Sequence, residues 1–179
     1  LLVRPPASSE TIGLQHVMVC EPLELEYLAA AVPGHTVEIR DLILEKKPFQ
    51  SLLKFFNPDL VAFTGYITHV NIIKHLAAEV KTWSGNRAIT VVGGVHAEVV
   101  PEDFLDHHLD FIVCANGLET FVEIVDAVTE GRSVSTKSGI YIPGNPKPLK
   151  KSCLNLPHPD TELVARYRHR YYYLFHKPC

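Results

Sequence analysis

The chain has 179 residues, of which 46% are hydrophobic and 21% charged, and its formal net charge at pH 7 is −3. This composition can bury the core of one domain with a short appendage, and the lack of any basic run argues against a nucleic-acid partner. No apolar run reaches the roughly 18 residues of a membrane span, and the four widely spaced cysteines argue against a disulfide framework, so we expect a cytoplasmic protein.

Strands and helices alternate along the first 131 residues. The apolar runs predict strands at residues 1–3, 36–39, 59–63, 88–92 and 110–114. Helical patterns between and after them predict helices at residues 22–32, 48–56, 70–83, 101–107 and 118–129. This alternation predicts an α/β fold with a doubly wound, five-stranded parallel sheet in flavodoxin-like (Rossmann-like) order.

The pattern changes after Gly131. Residues 139–145 contain a Pro-Gly-Asn turn and predict a small C-terminal hairpin. Residues 156–159, Leu-Pro-His-Pro, predict an extended linker, because proline keeps its predecessor out of a helix. The basic, aromatic stretch after them is typical of a contact surface. We therefore predict a domain at residues 1–150 and a linker at 151–179 that is mobile in the isolated chain, or packed on a neighbouring copy.

A ligand site is expected where the fourth predicted strand ends. That strand runs into Gly93 and Gly94, which are followed by His96. Glycine allows a positive φ and lets a flat ligand approach the main chain. Ligands of open α/β sheets bind beyond the carboxyl ends of the strands. The sequence therefore predicts a binding site at this edge before any relative is considered.

Short motifs follow one another in a characteristic order along nearly the whole chain. They are Arg4-Pro5-Pro6, Glu24-x-x-Tyr27-Leu28-Ala29, Asp59-Leu-Val-Ala-Phe-Thr64, Gly93-Gly94-x-His96-Ala97 with Pro101-Glu102, Gly117-x-Glu119-Thr120-Phe121, Gly139-Ile140 and Leu156-Pro157-x-Pro159. This ordered set resembles the N-terminal cobalamin-binding domain of the cobalamin-dependent radical SAM enzymes. That group includes the anaerobic magnesium-protoporphyrin monomethyl ester cyclase and many C- and P-methyltransferases.

The resemblance implies that this chain binds cobalamin and presents the corrin to a radical SAM barrel in the same polypeptide. The barrel would hold a [4Fe–4S] cluster and use S-adenosylmethionine for radical methyl transfer or oxidative cyclisation. The chain itself contains no nucleophile–base pair, so no catalytic residue is predicted in it. Cys179 could be the first cysteine of the cluster motif, but its Lys-Pro context is more typical of the run-up to the first barrel strand.

Small and hydroxyl-bearing residues at the predicted strand ends are the candidates for holding the nucleotide tail of cobalamin. Thr64 ends the third predicted strand, and its hydroxyl could bond the displaced base or simply cap the next helix. The glycines could line the slot for the tail, or form a purely structural tight turn. The predicted cofactor-binding residues are Pro6, His16, Thr64, Gly65, Tyr66, Gly93, Gly94, His96, Asn116 and Gly117.

The sequence departs from the family pattern in two loops. Residues 115–118 read Ala-Asn-Gly-Leu where the family often has Gly-Glu-Gly-Glu. The first loop lacks the Asp-x-His-x-x-Gly signature that supplies a cobalt-ligating histidine in the methionine-synthase class, and His16 has neither the flanking Asp nor the Gly. We therefore predict no metal-ligating residue and expect cobalamin to bind base-off.

Three alternatives remain open on the sequence alone. A flavodoxin-like domain could bind a flavin or another nucleotide, although Pro5 and Pro6 occupy the place of a phosphate cradle. A response-regulator-like module would need an aspartate at the end of the third strand, where this chain has Phe63 and Thr64. A degenerate domain could keep the fold and dock its barrel without a cofactor.

Overall fold

The computed structural model describes residues 1–8, 17–135, 139–148 and 156–173. The strands are β1 Leu2–Arg4, β2 Met18–Val19, β3 Ile39–Asp41, β4 Leu60–Thr64, β5 Ile89–Gly93, β6 Phe111–Ile112 and β7 Tyr172–Tyr173. The α-helices are α1 Leu23–Ala30, α2 Phe49–Phe56, α3 Val70–Ser84, α4 Val95–Val99 and α5 Gly117–Glu130. Within the described ranges, 3-10 helices span Ile67–His69, Pro101–Phe104 and Thr161–Arg170.

The central sheet has the order β3-β1-β4-β5-β6, and all of its strand pairs are parallel. This is the flavodoxin-like order, so the predicted fold class is confirmed. The predicted helix at 101–107 is shorter than expected, a 3-10 helix that ends at Phe104. The sequence pattern missed α4, because its five residues are too few to show a helical period.

The sheet separates two apolar layers. Successive strand residues point to opposite faces, so Val91 packs with α1 and α5 while Val92 packs with α2 and α3. Both layers are made by neighbouring residues of the same strands, as a sheet covered on both sides requires. No helix in the described ranges is long and apolar enough to cross a membrane.

The predicted C-terminal hairpin is not what the structure shows. A turn does close at Asn145, whose N–H donates to the carbonyl of Ile142 at 3.1 Å. Ile140, however, pairs antiparallel with Val113 at the end of β6 instead of with a hairpin partner. A Cβ atom at Gly139 would lie 1.7 Å from the carbonyl oxygen of Ala115, so glycine is required there. Residues 139–141 thus cover the edge of the sheet at β6. Their pairing satisfies N–H and C=O groups at that edge, which a separate hairpin would leave exposed to water.

The expectation of an unpacked C-terminal tail is also wrong for residues 161–173. Val164, Tyr167 and Tyr171 are buried in the same apolar layer as α1 and α5. β7 pairs antiparallel with β2, and the Tyr167 hydroxyl donates to Glu45 Oε2 at 2.9 Å. The physical reason is that the aromatic side chains, which the sequence pattern assigned to a second domain, cover apolar surface on this one.

Candidate functional site

A cavity of about 270 Å³ opens at the carboxyl edge of the sheet, between the strands and helices α1 and α5. Its floor is made by the ends of β4, β5 and the segment after β6, and its walls by one face of each helix. The residues that line it are Glu24, Leu25, Tyr27, Leu28, Ala62, Phe63, Thr64, Val91, Gly93, Gly94, Glu98, Val113, Gly117, Leu118, Phe121 and Leu156. The lining is mainly apolar, which suits a flat organic group more than an ion.

Small side chains on alternate strand positions create this hollow. Ala62 and Thr64 of β4 point to the same face as Val91 and Gly93 of β5, because side chains alternate along a strand. Thr64 and Gly93 are register partners, so a short hydroxyl side chain and a glycine lie side by side at the edge. An added Cβ at Gly93 would meet Val113 at an ordinary 3.7 Å. The position therefore tolerates a side chain, and such a side chain would enter the cavity.

Gly94 brings the loops after β4 and β5 into contact. Its φ of 99° lies in a region that L-residues rarely adopt. A Cβ atom there would lie 2.9 Å from Thr64 Oγ1 and 3.2 Å from the amide nitrogen of Gly65. Only glycine fits this approach without strain, so the predicted glycine pair has two separable roles. Gly93 leaves space in the cavity, and Gly94 lets the two loops touch.

The loop after β4 is held by its own glycine and histidine. A Cβ atom at Gly65 would lie 2.7 Å from Ile73 Cδ1, so α3 packs directly on this glycine. The N–H of Tyr66 donates to His69 Nδ1 at 3.2 Å and starts the 3-10 helix, so Tyr66 and not Thr64 is its capping residue. Burial and the Arg4 charge lower the pKa of His69, which keeps its ring neutral with the proton on Nε2.

The other predicted residues are distributed differently. Gly117, the first residue of α5, lines the cavity and has no atom within 4 Å of an added Cβ. Asn116 precedes it in the left-handed conformation, with φ 48°, and is outside the lining. Pro6 is half-buried after β1 and is also outside the lining. His16 lies outside the described residues.

His96 does not line the cavity. Its Nε2 lies 2.7 Å from Asp103 Oδ2, and its ring packs edge-on against Phe104 at 5.7 Å between centroids. The ring is thus engaged by the 3-10 helix that follows α4. The sequence placed it next to the glycine pair, but the helical turn at α4 carries its side chain to a different partner.

Sequence reasoning missed the helix side of the site. Leu25, Leu28 and Phe121 line the cavity although only the strand ends were predicted to do so. Their apolar spacing marked a buried helix face, but it could not say which strand end that face covers. Large apolar side chains are also exposed on the segments that directly follow β4 and β5: Tyr66 and Ile67 at the start of the 3-10 helix, and Val95 and Val99 in α4.

The geometry fits the nucleotide tail of cobalamin. Such a tail is a flat base on a sugar phosphate, and it needs an apolar slot with a hydroxyl near the mouth. The cavity provides an apolar slot, empty space at Gly93 and the Thr64 hydroxyl at the strand end. These features suit the binding of a flat, mainly apolar group.

Comparisons with known proteins agree with this geometry. Residues 11–125 match the family model described as the B12 binding domain. An uncharacterized methyltransferase of Pyrococcus horikoshii is 30% identical over 179 residues, covering 92% of this chain and 38% of that protein. The hopanoid C-3 methylase of Methylococcus capsulatus is 28% identical over 170 residues, covering 89% of this chain and 32% of that protein.

This chain therefore spans about a third of the length of these curated relatives. No solved structure matches it significantly.

Proposed function

This chain belongs to the B12-binding domain family, and on that premise we propose that it holds cobalamin for a radical SAM methyltransferase or cyclase. The observation that carries the proposal is the cavity at the ends of β4 and β5, where Gly93 leaves space beside Thr64. The match of residues 11–125 to the B12 binding domain favours cobalamin over a flavin, and over a docking domain without a cofactor.

The residues of the chain would bind and orient the cofactor. The tail would enter between the sheet and helices α1 and α5, with Gly93 and Gly117 leaving space for it and the Thr64 hydroxyl bonding its polar edge. The exposed side chains of Tyr66, Ile67 and Val95 would support the ring system attached to that tail. When bound, cobalamin supplies a cobalt centre that can carry a methyl group.

We propose that no histidine of this chain ligates the cobalt. The described histidines nearest this edge are turned elsewhere: the Tyr66 N–H donates to His69 Nδ1, and the His96 ring packs against Phe104 with its Nε2 at Asp103. Neither lines the cavity. A ligating histidine needs a partner that fixes its free nitrogen, and the first loop carries no acidic neighbour of His16 at the required spacing.

The partner of this domain is proposed to follow it in the same polypeptide. The two curated relatives are longer than the chain, and one is named a methyltransferase and the other a methylase. Residues 151–179 would lead into a barrel that holds a [4Fe–4S] cluster and S-adenosylmethionine. The substrate would then be chosen by that barrel and not by this domain.

An absorption titration tests the cofactor directly. The purified chain is mixed with hydroxocobalamin, freed of excess by gel filtration and scanned for bound corrin. Stoichiometric retention is expected from the parent and from the control Ala78→Leu, which changes a residue of α3, the helix that packs on the opposite face of the sheet. Loss of retention is expected from Gly93→Leu, whose new side chain enters the cavity. A parent chain that retains no corrin would overturn the proposal. Retention of a flavin, added in place of hydroxocobalamin in a parallel assay, would favour the flavodoxin-like alternative.

For the longer protein, iron and sulfide analysis and reductive cleavage of S-adenosylmethionine test the barrel. Both should be positive in a protein that contains the following domain. An iron-free longer protein that still binds cobalamin would contradict the radical SAM assignment alone.

A further inference from the structure

Helix α1 is a wall of the cavity that cannot be stable by itself. Leu25, Tyr27 and Leu28 of α1 line the cavity. The helix has eight residues and begins after Pro22 without a side-chain cap. Helices of this length are marginal in water and depend on packing for their order. Whatever packs on α1 therefore decides the shape of the cavity.

The C-terminal segment, residues 160–173, holds the side of α1 that faces away from the cavity. The N–H of Asp160 donates to the carbonyl of Glu26 at 3.2 Å. The 3-10 helix Thr161–Arg170 packs against α1, and its Val164 is fully buried in the same apolar layer as Leu25. The Glu26 side chain is also fully buried, so this contact excludes water.

The same segment holds the chain where it enters α1. β7 pairs with β2, with Val19 opposite Tyr172, and β2 ends four residues before α1 begins. The ring of Tyr171 is fully buried and lies 5.9 Å from the Arg4 guanidinium. Arg4 in turn donates from Nη1 to the carbonyl of Cys20 at 2.6 Å. Both the entry and the middle of α1 are thus fastened by residues 160–173.

The residues just before this segment reach the cavity itself. Leu156 lines it, four residues ahead of the hydrogen bond from Asp160 to α1. Farther along, Arg166 Nη2 donates to Glu38 Oε2 at 3.0 Å, and Arg170 donates to the carbonyl of Leu44. One continuous stretch therefore touches the cavity, its helical wall and the neighbouring strand β3.

We infer that residues 160–173 act as a clamp that positions α1 for cobalamin, so that docking of this segment and binding of the cofactor reinforce each other. The inference rests on the proposed cofactor site. Because coupling of two equilibria is reciprocal, a docked segment raises cofactor affinity and bound cofactor protects the segment by the same factor. In a longer protein, a change in the position of the chain beyond residue 173 would alter the packing of α1 and thereby the cofactor affinity of the cavity.

The test uses three variants of graded effect on the full chain. Tyr171→Phe keeps the buried ring and serves as the matched control. Arg170→Ala removes the bond to Leu44, and Tyr171→Ser removes the ring. Amide hydrogen exchange of residues 160–173, α1 and α3 is followed by mass spectrometry without cofactor. Hydroxocobalamin affinity is then measured for each variant.

Exchange of the segment and of α1 is expected to rise together in Arg170→Ala and further in Tyr171→Ser, by about tenfold or more, while α3 on the other face stays protected. Cobalamin affinity is expected to fall in the same order and to stay at the parent value in Tyr171→Phe. Added cobalamin should slow exchange of the segment in the parent.

A segment that loosens while α1 stays protected overturns the clamp, and so does a segment that stays protected in all three variants. Unchanged cobalamin affinity in a loosened variant also overturns it. A parent that binds no cobalamin refutes the proposed cofactor site, while the exchange measurement alone still decides whether the segment positions α1.

Discussion

Gly94 and Thr64 stand in direct contact across the loops that end β5 and β4: a Cβ atom on Gly94 would lie 2.9 Å from Thr64 Oγ1. The backbone of Gly94 has a φ of 99°, so two independent constraints require glycine at this position. Gly93, one residue earlier, is under neither constraint and leaves space in the cavity. This difference separates a variant that only fills the site from one that also strains the fold.

Gly93→Leu is expected to weaken cobalamin binding by about tenfold or more while the chain stays folded, because its Cβ is accommodated and its branch enters the slot. Equilibrium titration with hydroxocobalamin and circular dichroism measure the two effects. Equal affinity in this variant and in Ala78→Leu would show that the tail lies elsewhere.

Gly94→Val is expected to lose both binding and stability. The left-handed backbone conformation and the contact with Thr64 together cost roughly 1–3 kcal/mol of unfolding free energy. Urea unfolding measures this cost. An unchanged midpoint would mean that the two loops move apart at no cost, and the assigned contact would be wrong.

Electron paramagnetic resonance of the Co(II) form tests cobalt ligation. We expect a base-off signal without nitrogen superhyperfine splitting, because neither His69 nor His96 lines the cavity and His16 lacks the flanking Asp and Gly. Spectra of the parent, His16→Ala and His69→Ala should be superimposable. Nitrogen splitting that is present in the parent and disappears in either variant would identify that histidine as a cobalt ligand and contradict the prediction.

Glu26 makes stability depend on pH. Burial raises its pKa from 4.5 to about 7, and the carboxylates of Glu21, Glu24 and Asp160 add to the shift while Arg168 opposes it. The folded state thus favours the protonated form. The contribution of Glu26 protonation to the free energy of unfolding is therefore complete below about pH 4.5. It declines as the pH rises to about 7 and stays constant above that.

Glu26→Gln should remove this decline from the pH dependence of the unfolding free energy, since the amide cannot ionise. Urea unfolding of parent and variant at several pH values between about 4 and 8 is the measurement. The contribution of Glu26 is the difference between the two curves, which cancels other titrating groups. Parallel curves would show that folding does not raise the pKa of Glu26.

The Arg4–Asp41 ion pair should matter far more than an exposed one. Asp41 is fully buried, and its carboxylate accepts hydrogen bonds from Arg4 Nε, at 2.9 Å, and from Arg4 Nη2. The Arg4 guanidinium lies against the ring of Tyr171. Arg4→Met leaves that carboxylate uncompensated and is expected to cost about 3–5 kcal/mol. Arg87→Met breaks the exposed pair with Asp59 and should cost less than about 1 kcal/mol. Similar losses in thermal or urea unfolding would contradict this ranking.

The local sequence pattern was enough to predict the sheet and the strand-end side of the cavity. Apolar runs bounded by turn residues marked the five parallel strands, and Gly93 and Gly94 marked the edge where the cavity opens, because a bare backbone at a strand end has few other uses. The ordered motifs indicated the cofactor family, which the family match supports. These features depend on residues that are close together in the chain.

Only the tertiary structure decided which residues from distant parts of the sequence come into contact. Leu25 and Phe121 join the cavity because two separate crossovers bring α1 and α5 onto the same face, and His96 leaves it because a short helix turns its ring to Asp103. Tyr171 reads from the sequence as surface for another domain, yet it is buried over Arg4. A cluster of aromatic side chains indicates that the segment packs on apolar surface. Which surface it packs on depends on contacts between segments that are distant in the sequence, and local periodicity does not encode those contacts.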